Sequence, residues 1–239
     1  MTPASDLLLI SKLPVPGRVK TRLAAAIGRE SASEVAAALL GDLLQGCGST
    51  GDSRVLCGDQ PDASGFSRWL SDGSIAPYGW EYRHQGDGDL GARLAHCCAL
   101  SFEQGRTAVA LLGADAPRYS PQQIQTALDC AGLGTATIGP AGDGGYGLLV
   151  IPRVVERRLR ALFPRQGWGG TAVAENAADR LQELGVPVQS LPVRDDIDDE
   201  GDLVGLWREL QRNRQLATRL SRTFQQLRIL RKEGWRGAL

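Results

Sequence analysis

The chain is poor in the residues from which many enzymes build their chemistry. Of its 239 residues two are histidine and one is methionine, and aromatics make up 5%. With only His84 and His96, and with no GxSxG motif, a Ser-His-Asp triad is not easily built. The five cysteines, at 47, 57, 97, 98 and 130, form no CxxC pair and are odd in number, which argues against a zinc site. Free thiols in a reducing compartment are the expectation. The first apolar run, Leu7 to Ile10, is long enough for a buried strand and too short for a membrane span. No secretory pattern stands before it, so a cytoplasmic, soluble protein is expected. Neither repeats nor low-complexity segments occur.

Lysine is scarce too, with three in the chain, and two of them fall close together. They belong to Lys12-Leu-Pro-Val-Pro-Gly-Arg-Val-Lys20-Thr-Arg22, directly after the apolar run. Pro14, Pro16 and Gly17 dictate an irregular loop, because proline cannot donate to a sheet ladder. Lys12, Arg18, Lys20 and Arg22 place four cations on this loop and the helix start behind it. Compact ammonium groups in a chain that otherwise uses arginine suit point charges aimed at phosphate. A strand, a cationic Gly-containing loop and a helix N-terminus are a common way to hold a di- or triphosphate. A solvated basic loop is the plainer alternative.

Net charge is zero but unevenly spread: residues 208–236 hold nine Lys/Arg against Glu209 and Glu233, leaving 18 against 25 in the remainder. Strand-like segments alternate with helical ones along most of the chain. Among them are strands at Ser53–Cys57, Trp80–His84, Thr107–Leu112, Thr135–Ile138, Gly147–Ile151 and Val188–Val193, and helices at Glu30–Leu44, Leu90–Phe102, Pro121–Cys130, Thr171–Leu184 and Glu200–Leu210. Ser120 with Pro121 reads as a helix start. The pattern predicts an α/β fold, a mostly parallel sheet with helices on both faces, over residues 1–213. A basic helical tail over 214–239 follows. Its Leu216, Leu220, Phe224, Leu227 and Leu230 form one apolar stripe. That stripe fits packing on its own domain or on a partner subunit, a homo-oligomer included. A membrane surface is the lesser alternative, and nucleic acid is disfavoured because no aromatic platform accompanies the charge.

Gly86-Asp-Gly-Asp-Leu-Gly91 matches GxGxxG. It is not read as a dinucleotide fingerprint, because Asp87 and Asp89 would face the pyrophosphate and no acid follows at the usual distance; both serve better as helix caps. The cationic loop likewise lacks the Walker A spacing. Asp115 is more informative, since it follows the apolar strand and so reaches a strand C-terminus, where open α/β sheets bind ligands. A second acidic set, Asp195, Asp196, Asp198 and Asp199, follows the last strand and can reach the same edge. Carboxylates meeting there opposite cations would hold Mg²⁺ or Mn²⁺ against phosphate oxygens. The turn Gly139–Tyr146, with Asp143 its one acid, would let backbone approach a ligand or make a tight hairpin.

Six motifs, KLPVPGRVKTRL, QGDGDLGAR, GADAP, GPAGDGGYGLL, WGGT and DDIDDEGDL, occur in this order over about residues 7–205. Together they resemble a bacterial family described as glycosyltransferase-like and named for arsenosugar biosynthesis. That family resembles the GT-A nucleotide-diphospho-sugar transferases and is similar to the guanylyltransferases of coenzyme F420 and molybdopterin cofactor synthesis. The resemblance implies that Lys12, Gly17, Arg18, Lys20 and Arg22 grip nucleotide phosphates, with Gln85 and Arg93 near the nucleotide. It implies Asp115 and Asp198 as ligands of Mg²⁺ or Mn²⁺, and catalytic roles for Asp115, Asp143 and Lys20. Asp143, Gly144, Gly145, Tyr146, Trp168 and Thr171 would face the substrate. Ala114 stands where serine is usual and Gly147 where a second aromatic is usual. The implied activity is glycosyl transfer from a nucleotide-diphospho-sugar to a small-molecule acceptor. Nucleotidyl transfer from an NTP with release of pyrophosphate is the alternative, and a non-catalytic nucleotide or sugar sensor is a third reading.

Overall fold

In the computed structural model, which describes residues 4–72, 79–164 and 170–237, seven strands form one sheet. They are β1 (Ser5–Ile10), β2 (Ser53–Gly58), β3 (Trp80–His84), β4 (Ala108–Gly113), β5 (Ala136–Pro140), β6 (Tyr146–Pro152) and β7 (Val188–Ser190), in the order β3-β2-β1-β4-β6-β5-β7. All pairings are parallel except those of β6, which runs antiparallel to β4 and β5. The helices are α1 (Thr21–Ile27), α2 (Arg29–Gly46), α3 (Ser64–Asp72), α4 (Leu90–Glu103), α5 (Pro121–Gly132), α6 (Leu159–Leu162), α7 (Val173–Glu183), α8 (Glu200–Arg212), α9 (Arg214–Arg219) and α10 (Ser221–Lys232).

The period-2 alternation of side chains sends each central strand's apolar residues to both faces. Leu7 and Leu9 of β1 join Ala110 and Leu112 of β4 on the face covered by α2, α3 and α5. Leu8, Val109 and Leu111 point the other way, onto α4, α6 and α7. Each fully buried leucine contributes about 2 kcal/mol. Helix starts follow local chemistry. Ser120 accepts from Gln123 N while the Gln123 side chain accepts from Ser120 N, and Pro121 needs no partner for a missing N–H. Asp89 accepts from Ala92 N at the start of α4, as its cap role requires.

Two expectations change in detail. The last strand stops at Ser190 instead of Val193. Leu191 N still donates to Ile138 O and Arg194 N to Pro140 O, but Pro192 between them has no N–H to give. The apolar stripe of the C-terminal segment is carried by two helices, α9 and α10, that meet at Leu220. Leu216, Leu220, Leu227 and Leu230 are buried against Leu23, Val35, Leu39, Leu206 and Leu210 of α1, α2 and α8. Asp42 of α2 pins this arrangement. Its carboxylate accepts from Arg222 N (3.0 Å), Thr223 N (2.8 Å) and Thr223 Oγ1 (2.7 Å), supplying from outside the cap that Leu220 cannot give α10. Trp235 adds a second pin by donating from Nε1 to Glu200 at 3.0 Å. Among the described residues no helix is long and apolar enough to cross a membrane.

Candidate functional site

Because β1, β2, β3 and β4 run parallel, their C-terminal ends share one edge. From β1 the chain crosses to β2 on one side, while β4 pairs on the other, so the strand order reverses between β1 and β4. The crevice outside such a reversal is where open α/β sheets take ligands. Three loops close on it: residues 11–20 after β1, 114–117 after β4, and 195–199 before α8.

The loop after β1 is held by a small set of bonds. Leu13 N donates to Asp59 Oδ1 (2.8 Å), and Arg18 N to Val15 O (3.0 Å). Gly17 takes φ +77, a left-handed geometry that glycine meets without strain. Gln85 is buried and clamps three strand ends: its Nε2 donates to Ser11 O (2.8 Å) and Cys57 O (2.7 Å), and its Oε1 accepts from Arg93 Nη1 (3.4 Å). Arg93 Nε is buried without a hydrogen-bond partner among the described residues. Lys12, Arg18, Lys20, Gln85, Arg93, Asp115 and Asp198 all line one cleft of about 420 Å³.

Lys20 does not point out of the loop. It is the one non-glycine residue with positive φ (47°) among those described, and its side chain is 10% exposed. Nζ donates to Asp198 Oδ1 at 2.9 Å and to Asp115 Oδ2 at 3.3 Å. Burial pulls the Lys20 ammonium down, and the charges of Asp115 and Asp198 outweigh that, so its pKa is held above the ordinary value. The remaining three loop cations, Lys12, Arg18 and Arg22, are exposed, and two of them are paired: Arg18 with Asp59 (3.4 Å) and Arg22 with Asp199 (2.8 Å).

The acidic run 195–199 divides its labour. Ile197 is fully buried, and its N–H donates to Asp115 O at 3.0 Å, locking the run to the loop after β4. Asp195 Oδ1 accepts from Gly142 N (3.1 Å), while Asp199 caps α8 in a reciprocal pair with Asp202. Asp198 takes Lys20. Asp196 lines a second cleft of about 530 Å³ together with Arg22, Asp115, Asp143, Gly145, Tyr146 and Gly170. Burial first, then the charges of Asp115, Asp198 and Asp143, push Asp196 up to about 7.

The Gly-rich turn is both a hairpin and a cleft wall. Asp143 Oδ1 accepts from Gly145 N (2.8 Å), and Gly144, at φ +88, packs so closely on the Thr171 carbonyl that any side chain would overlap it. Gly144 O also accepts from Ala174 N (2.9 Å), which ties the turn to α7. At Gly147 a Cβ would lie 2.6 Å from that of Ala116, so an aromatic has no room there. At Gly113 a Cβ would run into the Asp115 carboxylate, which folds back over it.

The structure thus brings together Lys12, Arg18, Lys20, Gln85, Arg93, Asp115 and Asp198 in one cleft, and Arg22, Asp143, Gly145 and Tyr146 in its neighbour, with Asp115 common to both. Trp168 lies outside the described residues. Asp196 was missed. Its signal was the alternation about Ile197, since residues one position either side of a buried residue in extended chain share the opposite face.

Two carboxylates from separate loops, already bridged by one cation, are a donor set that fits Mg²⁺ or Mn²⁺. Such ions are commonly held by one or two carboxylates with substrate phosphates completing the shell. Among the described residues there is no group of three or more His, Cys, Asp or Glu placed to hold a metal without such help.

Residues 44–169, just over half of the chain, match the model of a family described as "uncharacterized protein conserved in bacteria (DUF2064)". No curated protein matches. Among solved structures, a candidate nucleotide-diphospho-sugar transferase from Desulfovibrio desulfuricans G20 is 28% identical, with a TM-score of 0.84 over 97% of this chain and 98% of that one. A 4-diphosphocytidyl-2C-methyl-D-erythritol synthase from Anaerococcus prevotii is 9% identical (TM-score 0.58; 87% and 96% covered). A cytidylyltransferase from Leptospira borgpetersenii is 12% identical (TM-score 0.56; 97% and 95% covered). The last two are likenesses of fold alone, and the first matches this sheet to that of a nucleotide-diphospho-sugar transferase fold.

Proposed function

The chain belongs to the DUF2064 family, and we propose that it is a metal-dependent transferase moving a glycosyl group from a nucleotide-diphospho-sugar to a hydroxyl-bearing small molecule. The observation that carries this reading is the meeting of two unlike clefts at Asp115, one rimmed by Lys12, Arg18, Lys20 and Arg93, the other by Asp143 and Asp196.

In this reading the cationic cleft takes the diphosphate. Lys12 and Arg18 are exposed at its rim, and the buried Nε of Arg93 is a donor lacking a partner among the described residues. Gln85 orients Arg93 and fixes the floor. Asp115 and Asp198 would hold Mg²⁺ or Mn²⁺, whose charge would stabilise the departing diphosphate. The second cleft takes the acceptor. Its cation, Arg22, is already engaged by Asp199, so an incoming phosphate would meet the charges of Asp115, Asp143 and Asp196. A hydroxyl suits that wall: Asp143 and Asp196 can each accept its hydrogen bond and its proton as the glycosyl bond forms. The glycosyl reading also agrees with the motifs that resemble the arsenosugar-biosynthesis family.

Nucleotidyl transfer is the second reading, favoured by the number of cations at one edge and by the fold shared with cytidylyltransferases. Incubation with nucleotide sugars and with NTPs, each with Mn²⁺ and an acceptor panel, separates the two. Nucleoside diphosphate release is expected. Pyrophosphate release would replace the glycosyl reading with the nucleotidyl one. Metal-assisted binding without turnover across the panel would point to a sensor.

A further inference from the structure

Lys20 stands on the ground that a divalent cation would need. Its ammonium lies 2.9 Å from Asp198 and 3.3 Å from Asp115, and the side chain is 10% exposed although it belongs to a loop. The main chain is bent to put it there, since Lys20 alone among the described non-glycine residues takes positive φ. It occupies the N-cap position of α1 yet makes no side-chain cap bond, so helix capping does not account for the conformation. An ammonium and a divalent cation cannot share the same carboxylate oxygens at such distances without strong repulsion, unless further anions arrive. The same cleft provides a place for those anions beside Lys12, Arg18 and Arg93.

We infer that Lys20 is a resident counter-cation, holding Asp115 and Asp198 together in the nucleotide-free protein and yielding them only as nucleotide phosphates enter to receive its ammonium. The inference rests on the metal-dependent reading above and adds an order to it: metal binds tightly only together with nucleotide. A protein bare of nucleotide would then be guarded against adventitious cations by its own side chain.

The test is Mn²⁺ binding to the full chain, followed by the paramagnetic resonance of free Mn²⁺, alone and with uridine or guanosine diphosphate. The parent should bind Mn²⁺ at least about tenfold more tightly with the accepted nucleotide than without, consistent with a coupling of more than 1.4 kcal/mol. Lys20→Met should bind Mn²⁺ at least about tenfold more tightly than the parent when nucleotide is absent, and Lys20→Arg should stay close to the parent. If Lys20→Met gains nothing while the parent binds Mn²⁺ with nucleotide, Lys20 is a fixed bridge and the metal reading alone survives. If no form binds Mn²⁺ in any arm, both fall. A second readout needs no variant, because the chain has three lysines. Reductive methylation resolved by peptide mass spectrometry should find Lys20 protected relative to Lys12 and Lys232 in the nucleotide-free protein, and Mn²⁺ without nucleotide should leave that protection in place. Exposure of Lys20 by Mn²⁺ alone, at concentrations where the nucleotide-bound protein is saturated, would overturn the required order.

Discussion

Two sites in this molecule use a carboxylate to join segments about 180 residues apart, and they do it in opposite ways. At Asp42 the carboxylate is met by three donors from one short stretch, Arg222 and Thr223, and its neighbourhood is a packed helix bundle. Burial raises the Asp42 pKa while those donors, and last the Arg222 charge, oppose the rise, so a buried acid is accommodated mainly by neutral dipoles. At the sheet edge, Asp115 and Asp198 share a single ammonium, and Asp196 crowds against them with its pKa up near 7. The first carboxylate is saturated and has no chemistry left to do. The second group is short of positive charge and borders two clefts. Placement of donors, more than burial, separates a structural acid from one available to a ligand.

The largest expected effect breaks the edge and leaves the bundle alone. Asp115→Asn should lower metal-dependent turnover by about 10²–10³ or more while the melting temperature moves little. Near-parental activity would shift the metal centre to Asp198 and Asp143. The converse variant is Asp42→Ala. It orphans two backbone N–H groups at the start of α10 and should cost about 2–4 kcal/mol, read as a fall in melting temperature of roughly 5–15 °C. Turnover per folded molecule should be unchanged. An equal loss of activity would mean that bundle and edge are coupled.

Asp196→Asn should change how stability depends on pH. A carboxyl raised to about 7 in the folded chain, from an ordinary 3.8, favours folding when protonated. That contribution is complete below the ordinary value and is lost as pH rises through about 7. Asparagine imitates the protonated form. The variant should therefore be more stable than the parent at pH 8 by about 1 kcal/mol, discounted for partial solvent screening. The gain should shrink below pH 7 and vanish near pH 4 in thermal melts. No pH dependence of the difference would remove the charge crowding from the account. The smallest effect belongs to Arg18→Ala. Its exposed pair with Asp59 should contribute less than about 0.5 kcal/mol to stability. Nucleotide affinity should nonetheless fall several-fold by calorimetry; an unchanged affinity would remove Arg18 from the phosphate site.

The sheet was legible because its signals are local: apolar runs of strand length, a Ser-Pro helix start at 120–121, and helical periodicity between them. Asp115 was legible for the same reason, as the acid directly after a buried strand. Lys20 was read correctly as a loop cation but not as an inward one, because its partner Asp198 lies 178 residues away and nothing nearby in sequence announces it. The acidic run was read as one set, whereas burial of Ile197 sorts it into bonds to Gly142, Lys20 and Arg22 and a cleft-facing Asp196. The tail's stripe was visible, but its anchor at Asp42 was not. A cap supplied from another helix leaves no motif.

The central question is whether the C-terminal edge of the sheet is a nucleotide site completed by a divalent cation. Calorimetric titration of the full chain with a panel of ribonucleoside di- and triphosphates, with and without Mn²⁺, tests this most directly. At least one nucleotide should bind about tenfold or more tightly with Mn²⁺, and Asp115→Asn should erase the difference. Nucleotide binding that is indifferent to Mn²⁺, or a difference that survives in Asp115→Asn, would contradict it.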